Sequence, residues 1–368
     1  MGYSVKIYSR IGELMQGVLP DASAFLVSGL ASRRWYSEAV LEEGVMGPGT
    51  QAAGKGGERT GPGNGDGSSP TRAMRTTGNA GGLTTEPMAL PPKAGEALAI
   101  LLRERGLSLP ADVTIRLYSN IPRGKGLSSS SADVLSVLLA ANNYLEMGLC
   151  ADDLYRIAAK VEPTDPCLSD EIVLFHQHSG RKGAVIDLPP VSLLYFDAAP
   201  ERRIDTLEIR RHWPRGAGEF FGWLLQRLMR AAAERDYELL FDSITYSAEY
   251  NQTMLPLPGF GDYRRLAAEA GAGLMVAHSG TIAGLLVPPE KEAAVLPRLE
   301  ALVQGQHKRP ADRADYGCAD YGCADNGCAD NGCADYGCAD SGLDPTTIYT
   351  EHYFSPYHRP AWRPYSAP

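Results

Sequence analysis

The chain lacks any apolar run near the roughly 18 residues that a membrane span needs, which excludes a transmembrane reading. Its first residues, Met1-Gly2-Tyr3-Ser4-Val5-Lys6, lack the apolar centre of a signal peptide, and Lys6 stands where a myristoylation signal needs Ser or Thr. A basic surplus is missing too: 35 Lys and Arg face 44 Asp and Glu, for a formal net charge of −9. Six of the acids (Asp315, Asp320, Asp325, Asp330, Asp335 and Asp340) sit in one repeat, and removing those six from −9 leaves −3. Neither balance is that of a nucleic-acid binder. Outside the same repeat cysteine is nearly absent, leaving Cys150 and Cys167, so a disulfide scaffold is excluded and a reduced compartment expected. The expectation is a cytoplasmic protein with a small-molecule partner, no nucleic acid and no membrane.

Hydrophobic residues make up 44% of the 368, enough to build a core for one large domain or two ordinary ones. Two segments do not contribute to it. Residues 44–91 are rich in Gly, Pro, Thr and Ser without hydrophobic periodicity, and read as a disordered insertion. Gly49-Thr50-Gln51-Ala52-Ala53-Gly54-Lys55 within it has Walker A spacing, but Gly56 follows where Ser or Thr is required, and neither a strand nor a helix flanks it. Residues 314–340 repeat Ala-Asp-(Tyr/Asn)-Gly-Cys, placing Cys318, Cys323, Cys328, Cys333 and Cys338 at steps of five. Such spacing does not share a helix face and its glycines disfavour helix. Evenly spaced thiols can bind soft metals; the plainer reading is a flexible surface loop.

Elsewhere the pattern is regular. Residues 92–106 are predicted helical, with Ala97, Leu98, Leu101 and Leu102 on one side and Gly106 as the stop. Val113, Ile115 and Leu117 alternate as in a strand. An apolar helix containing Val134, Leu135, Leu138 and Leu139 follows, with further helices at 151–161, 217–235, 237–251 and 262–270. Leu274–Ala277 and Ile282–Val287 are predicted strands, and Thr346–Tyr349 opens a last one. Strands and helices mix without steady alternation, which favours an α+β fold over a doubly wound sheet.

Between the strand at 113 and the apolar helix stands Pro122-Arg123-Gly124-Lys125-Gly126-Leu127-Ser128-Ser129-Ser130-Ser131-Ala132. The glycines permit tight turns and close ligand approach. The N–H groups at the start of the helix, with its dipole, favour an anion. Lys125 can add a charge, and serine hydroxyls can bond phosphate oxygens or Mg²⁺. A Ser/Gly linker capping a core helix is the bland alternative.

This stretch resembles the second motif of the GHMP kinases, Pro-x-x-x-Gly-Leu-Gly-Ser-Ser-Ala, with Ser128 in place of the third glycine and Ser131 in place of the alanine. Gly12-Glu13-Leu14-Met15-Gln16-Gly17 and the glycine-rich run Gly271–Gly284, with Ser279-Gly280-Thr281 at its turn, are similar to the first and third motifs, in the right order. Gly-Glu-Leu-x-Gln-Gly further resembles the L-threonine kinases of adenosylcobalamin synthesis. Pro122–Gly126 with Asp133, Phe25–Ser28 leading to Trp35-Tyr36-Ser37, and Glu162-Pro163-Thr164-Asp165 resemble the same group. Tyr8-Ser9-Arg10-Ile11 departs from it, standing where small residues and a proline occur, as do Pro166 and Cys167.

The resemblance implies a two-lobed fold, with residues 1–190 as a lobe like a domain of ribosomal protein S5 and 191–368 as a ferredoxin-like lobe. It implies a kinase that phosphorylates L-threonine with ATP and Mg²⁺. The loop at 122–132, with Gly280 and Thr281, would hold the nucleotide. Ser130 and Glu162 would ligate Mg²⁺, and Gly12, Glu13 and Gln16 would face the substrate. Asp165 and Lys125 would act in catalysis, Asp165 on the acceptor hydroxyl. Another small alcohol as acceptor, such as homoserine or a mevalonate-pathway intermediate, and a silent ATP-binding protein are the alternatives. Glu-Pro-Thr-Asp-Pro is also a good turn sequence. Arg10, Arg33 and Arg34 are candidates for an amino-acid carboxylate. His176-Gln177-His178 can place two imidazoles on one side of a strand, but further zinc ligands are not evident. Gly-x-Ser-x-Gly is absent around His278-Ser279-Gly280, against a hydrolase.

Overall fold

The computed structural model describes residues 2–43, 90–204, 213–307 and 343–353. The Walker-like run at 49–55 and the cysteine repeat at 314–340 lie outside the described residues, as does nearly all of the 44–91 segment.

Strand β1 (Gly2–Val18) folds back on β2 (Ala24–Glu43) as a long antiparallel hairpin. Asp21 fixes the turn by accepting the Ser23 N–H at 2.9 Å. The register slips between Tyr8 and Arg10 and again between Glu13 and Met15. Such bulges twist a strand and re-aim its side chains, and Gly12-Glu13 lies between the two.

Helix α1 (Pro92–Arg105) follows, started by proline and closed by Gly106 in the left-handed conformation, as its sequence pattern predicts. Strand β3 (Val113–Ser119) pairs with the second half of β2. Helix α2 (Ser129–Tyr144) is buried on nearly every side, with Leu135, Val137 and Leu138 fully enclosed. It packs on β1 and β2 and forms the middle of the larger core. Helix α3 (Ala151–Ala158) is shorter than its apolar pattern suggests. Lys160 and Val161 bond three residues back, to Ile157 and Ala158 at 3.1 and 3.0 Å, tightening the last turn and ending the helix before Glu162.

Strands β4 (Val173–His176) and β5 (Arg181–Val185) complete one side of the sheet. The other side is β6 (Val191–Asp197), β7 (Gly273–Val276), β8 (Ile282–Val287) and β9 (Tyr349–Tyr353). Helix α4 (Ala217–Glu234) packs on β1 and on α5 (Tyr237–Gln252), and α5 covers this half together with α6 (Phe260–Ala270) and α7 (Glu292–His307). A second core cluster joins residues of β6, β7 and β8 to residues of α6 and α7. The last strand begins at Tyr349, later than Thr346, because Asp344 first accepts the N–H groups of Thr346 and Thr347 in a turn.

The sheet runs β5-β4-β2-β1-β7-β8-β6-β9, with β3 added to β2. Its two halves meet where Glu13 of β1 pairs with Val276 of β7. The architecture is α+β, as the mixed pattern of elements predicts. Among the described residues no helix is long and apolar enough to cross a membrane.

Candidate active site

The three glycine-rich stretches converge on one loop. The Gly12 N–H donates to the Gly126 carbonyl at 3.1 Å, and the N–H groups of Thr281 and Ile282 both donate to the Lys125 carbonyl at 3.0 Å. Gly126 has φ +85° and a side chain there would meet the Ala277 Cβ at 2.1 Å; one at Gly280 would lie 2.2 Å from the Gly126 nitrogen. Backbone approach this close leaves room for glycine alone.

The loop enters α2 through Ser128, whose φ of 54° is left-handed and whose side chain caps nothing. Pro122 and Leu127 are buried, Leu127 in the core, and anchor the loop from below. The first-turn N–H groups of Ser129, Ser130 and Ser131 have no intrahelical acceptor, and Ala132 makes the first bond, to the Ser128 carbonyl at 2.9 Å. No acid stands in the first turn to compete for an anion. Arg123 is half exposed and pairs with buried Asp133 at 3.0 Å. Burial pushes the Asp133 carboxyl up, against the nearby guanidinium and hydrogen bonds from Ser37 and Ser119.

The acidic stretch after α3 lies directly against this helix start. The Ser130 hydroxyl donates to Glu162, whose other oxygen is 2.5 Å from the Lys93 ammonium. Asp165 donates its N–H to the Ser131 Oγ at 3.0 Å, and the Ser131 hydroxyl lies 3.4 Å from the Asp165 carboxylate. Burial pushes the Asp165 carboxyl up from its ordinary value, and the charge of Glu162 adds to the effect. Hydrogen bonds from Ser128, Gln177 and Ser131 work the other way. A carboxyl raised by burial beside a second carboxylate is an arrangement common at sites of proton transfer.

Glu13 is buried and accepts the His278 N–H, tying the first stretch to the third. Gln16 donates its backbone N–H to Ser247 of α5 at 3.1 Å. The Gln16 Oε1 and the Thr281 hydroxyl are buried without a hydrogen-bond partner among the described residues.

Lys125 is a correction to the sequence reading. Its side chain is fully buried and turned into the protein, 2.8 Å from Asp197 at the end of β6. It donates to the Pro200 and Arg202 carbonyls at 2.7 Å and lies 3.3 Å from that of Ala199. An ammonium has three donors, so none is left for phosphate or an acceptor hydroxyl. Of the arginine candidates, Arg10 is likewise spoken for. Arg10 is buried and donates to the backbone carbonyls of Gly29 and Glu171, at 3.1 and 2.9 Å. Arg34 is exposed and lies over the Tyr349 ring at 4.9 Å, and exposed Arg33 is held at its backbone, where its amide N–H donates to Glu351 on β9, which leaves its guanidinium uncommitted by that bond. His176 ends β4, so His178 falls in the following turn, exposed, and the two imidazoles do not share a strand face.

Sequence reasoning missed Lys93 and Asp197. Lys93 carries no signal beyond its place after Pro92. Asp197 ends the apolar run Val191–Phe196, and a lone acid closing a buried strand is a legible hint.

Known proteins resemble this chain in sequence and in fold. Residues 93–170 match the GHMP kinases N terminal domain. The chain is 31% identical over 186 residues to an L-threonine kinase of Citrobacter freundii, covering 49% of this chain and 64% of that kinase. It therefore spans somewhat less than two thirds of that relative. It is 27% identical over 122 residues to a homoserine kinase of Lactococcus lactis subsp. cremoris, covering 32% of this chain and 40% of that one. Among solved structures, MDDEF in complex with MVAPP, AMPPCP and magnesium superposes with a TM-score of 0.55 at 14% identity. The match covers 82% of this chain and 94% of that one. Residues 93–170 thus resemble a GHMP kinase N-terminal domain, and the chain shares its overall fold with that solved structure.

Proposed function

We propose that this protein transfers the γ-phosphoryl group of ATP to the hydroxyl of L-threonine, giving O-phospho-L-threonine for cobalamin biosynthesis. One observation carries the kinase reading: the Ser130 hydroxyl, the Glu162 carboxylate and Asp165 meet at the open N-terminus of α2, where three glycine-rich stretches converge. The partial likeness to an L-threonine kinase supports the choice of acceptor.

The serine hydroxyl and carboxylate offer the hard oxygen donors that Mg²⁺ prefers, and a cation needing few protein ligands besides phosphate and water suits so small a set. Bound there, Mg-ATP supplies the phosphoryl group and neutralises its charge. Ser130 and Glu162 would hold the metal, and the N–H groups of Ser129, Ser130 and Ser131 would hold phosphate oxygens. Asp165 orients the acceptor hydroxyl and takes its proton as the new oxygen–phosphorus bond forms and the bond to the β-phosphate oxygen breaks. Gly12, Glu13 and Gln16 face the acceptor side, the Gln16 Oε1 lying buried there without a partner among the described residues.

Homoserine is the second reading, favoured by the likeness to a homoserine kinase. The deciding measurement is ADP release from Mg-ATP with L-threonine, L-serine, L-homoserine or mevalonate. Turnover selected by L-threonine supports the proposal. Turnover with another alcohol keeps the mechanism and replaces the substrate. Nucleotide binding without turnover on any of them makes the protein a silent binder.

A further inference from the structure

We propose that Asp197 is a positioning residue for the nucleotide loop, acting through Lys125, which shapes the loop from behind and does not touch phosphate. The proposal rests on the nucleotide-binding reading above.

Lys125 and Asp197 are 0% and 1% exposed and 2.8 Å apart. Asp197 also accepts the Ala199 N–H at 3.1 Å, which bends the chain as it leaves β6. That bend presents the carbonyls of Ala199, Pro200 and Arg202 to the Lys125 ammonium. The same segment reaches the loop by its backbone, since the Ile204 N–H donates to the Gly124 carbonyl at 3.0 Å. It also reaches the third glycine-rich stretch, since the Ala198 N–H donates to the Thr281 carbonyl at 2.9 Å.

The carbonyls of three successive loop residues are thus committed to protein donors: Gly124 to Ile204, Lys125 to Thr281 and Ile282, and Gly126 to Gly12. Their negative ends are thereby kept off the face where an anion would sit. Lys125 is the peg for this arrangement. Its side chain fastens to residues 197–202 and its carbonyl to 281–282. Asp197 cancels its charge, so the ammonium contributes neither a donor nor a net field to phosphate. Removing either partner leaves an uncompensated buried charge and frees the loop on one side. A lysine that contacted phosphate directly would respond differently, because loss of Asp197 would release it toward the nucleotide.

The test is ADP affinity, measured calorimetrically with Mg²⁺ present, for wild type, Lys125→Met, Asp197→Asn and the double variant. The proposal expects each single change to weaken ADP binding about tenfold or more, with the double variant no worse than the weaker single one, the non-additivity of residues acting as one unit. It also expects KM for ATP to rise while KM for the acceptor keeps its wild-type value. Asp197→Asn binding ADP as well as or better than wild type overturns the proposal. Should the variants fail to fold, amine acylation of the wild-type protein read by mass spectrometry decides. Lys125 unlabelled with and without ADP is the expected result, and labelling that ADP suppresses overturns it. A wild-type protein that binds no ADP overturns the nucleotide reading itself, which the Asp197 result alone cannot do.

Discussion

Ser131 and Asp165 hold each other twice, the Asp165 N–H on the Ser131 Oγ at 3.0 Å and the Ser131 hydroxyl 3.4 Å from the Asp165 carboxylate. The pair fastens the acidic stretch to the first turn of α2, so carboxylate and phosphate loop move as one body. Ser131→Ala removes both contacts while leaving the carboxylate itself. We expect kcat to fall about tenfold to a hundredfold with little change in ADP affinity, measured by coupled assay and calorimetry.

Asp165→Asn keeps the shape and removes the base. The expected loss in kcat is about 10²–10⁴-fold. Since burial raises the Asp165 carboxyl in the folded state, folding favours its protonated form. That contribution to stability is present below the ordinary carboxylate pKa and lost as pH rises through the raised one. At neutral pH the variant should therefore melt no lower than wild type, while losing activity. In the active protein, kcat should fall as pH drops through the raised value, and this limb should be missing from the residual activity of the variant. A drop in both activity and melting temperature at neutral pH would count against Asp165 as the base.

Ser130→Ala and Glu162→Gln address the cation. Each should weaken Mn²⁺ or Mg²⁺ dependence of nucleotide binding, read as a rise in the metal concentration at half-maximal ADP affinity. Glu162→Gln should in addition leave Lys93 without its carboxylate partner. Equal metal dependence in wild type and both variants would exclude these residues as ligands.

Gly280→Val forces a side chain into space already held by the Lys125 and Gly126 backbones. The loop must shift or the chain must open, so nucleotide binding should be abolished and the melting temperature lowered, by calorimetry and thermal scanning. Leu135→Ala is the contrasting case. That residue is fully buried in α2, and its truncation should cost about 2–5 kcal/mol of stability without altering nucleotide KM in whatever fraction stays folded.

Much of this was legible because local physics settled it. The Pro92 start and Gly106 stop bounded α1, and the glycine–serine run before an apolar helix marked the loop on which the three glycine-rich stretches converge. Ser130 and Glu162 were brought together by the family resemblance, and the structure places them in hydrogen-bond contact. Lys125 was misread because a lysine between two glycines looks solvent-bound. Its burial depends on Asp197, 72 positions further along, through a bend no local pattern reveals. Arg10 was misread in the same way: three distant backbone carbonyls take up its guanidinium. Long-range satisfaction of a buried cation leaves no trace in the neighbouring residues.

The pairing of Glu13 with Val276, and of the loop carbonyl of Lys125 with Thr281 and Ile282, has a consequence during synthesis. A ribosome that has translated the stretch from α2 to Asp165 has made Ser130, Glu162 and Asp165, yet none of the strands that flank β1 on its far side. Until Val276 at the end of β7 has cleared the exit tunnel, Glu13 lacks its strand partner and that side of β1 is an unpaired edge, a known liability for aggregation. The nascent chain therefore passes through a long interval in which it is exposed to misassembly, and holding factors that shield it, or faster translation across residues 130–280, should raise the yield of folded protein.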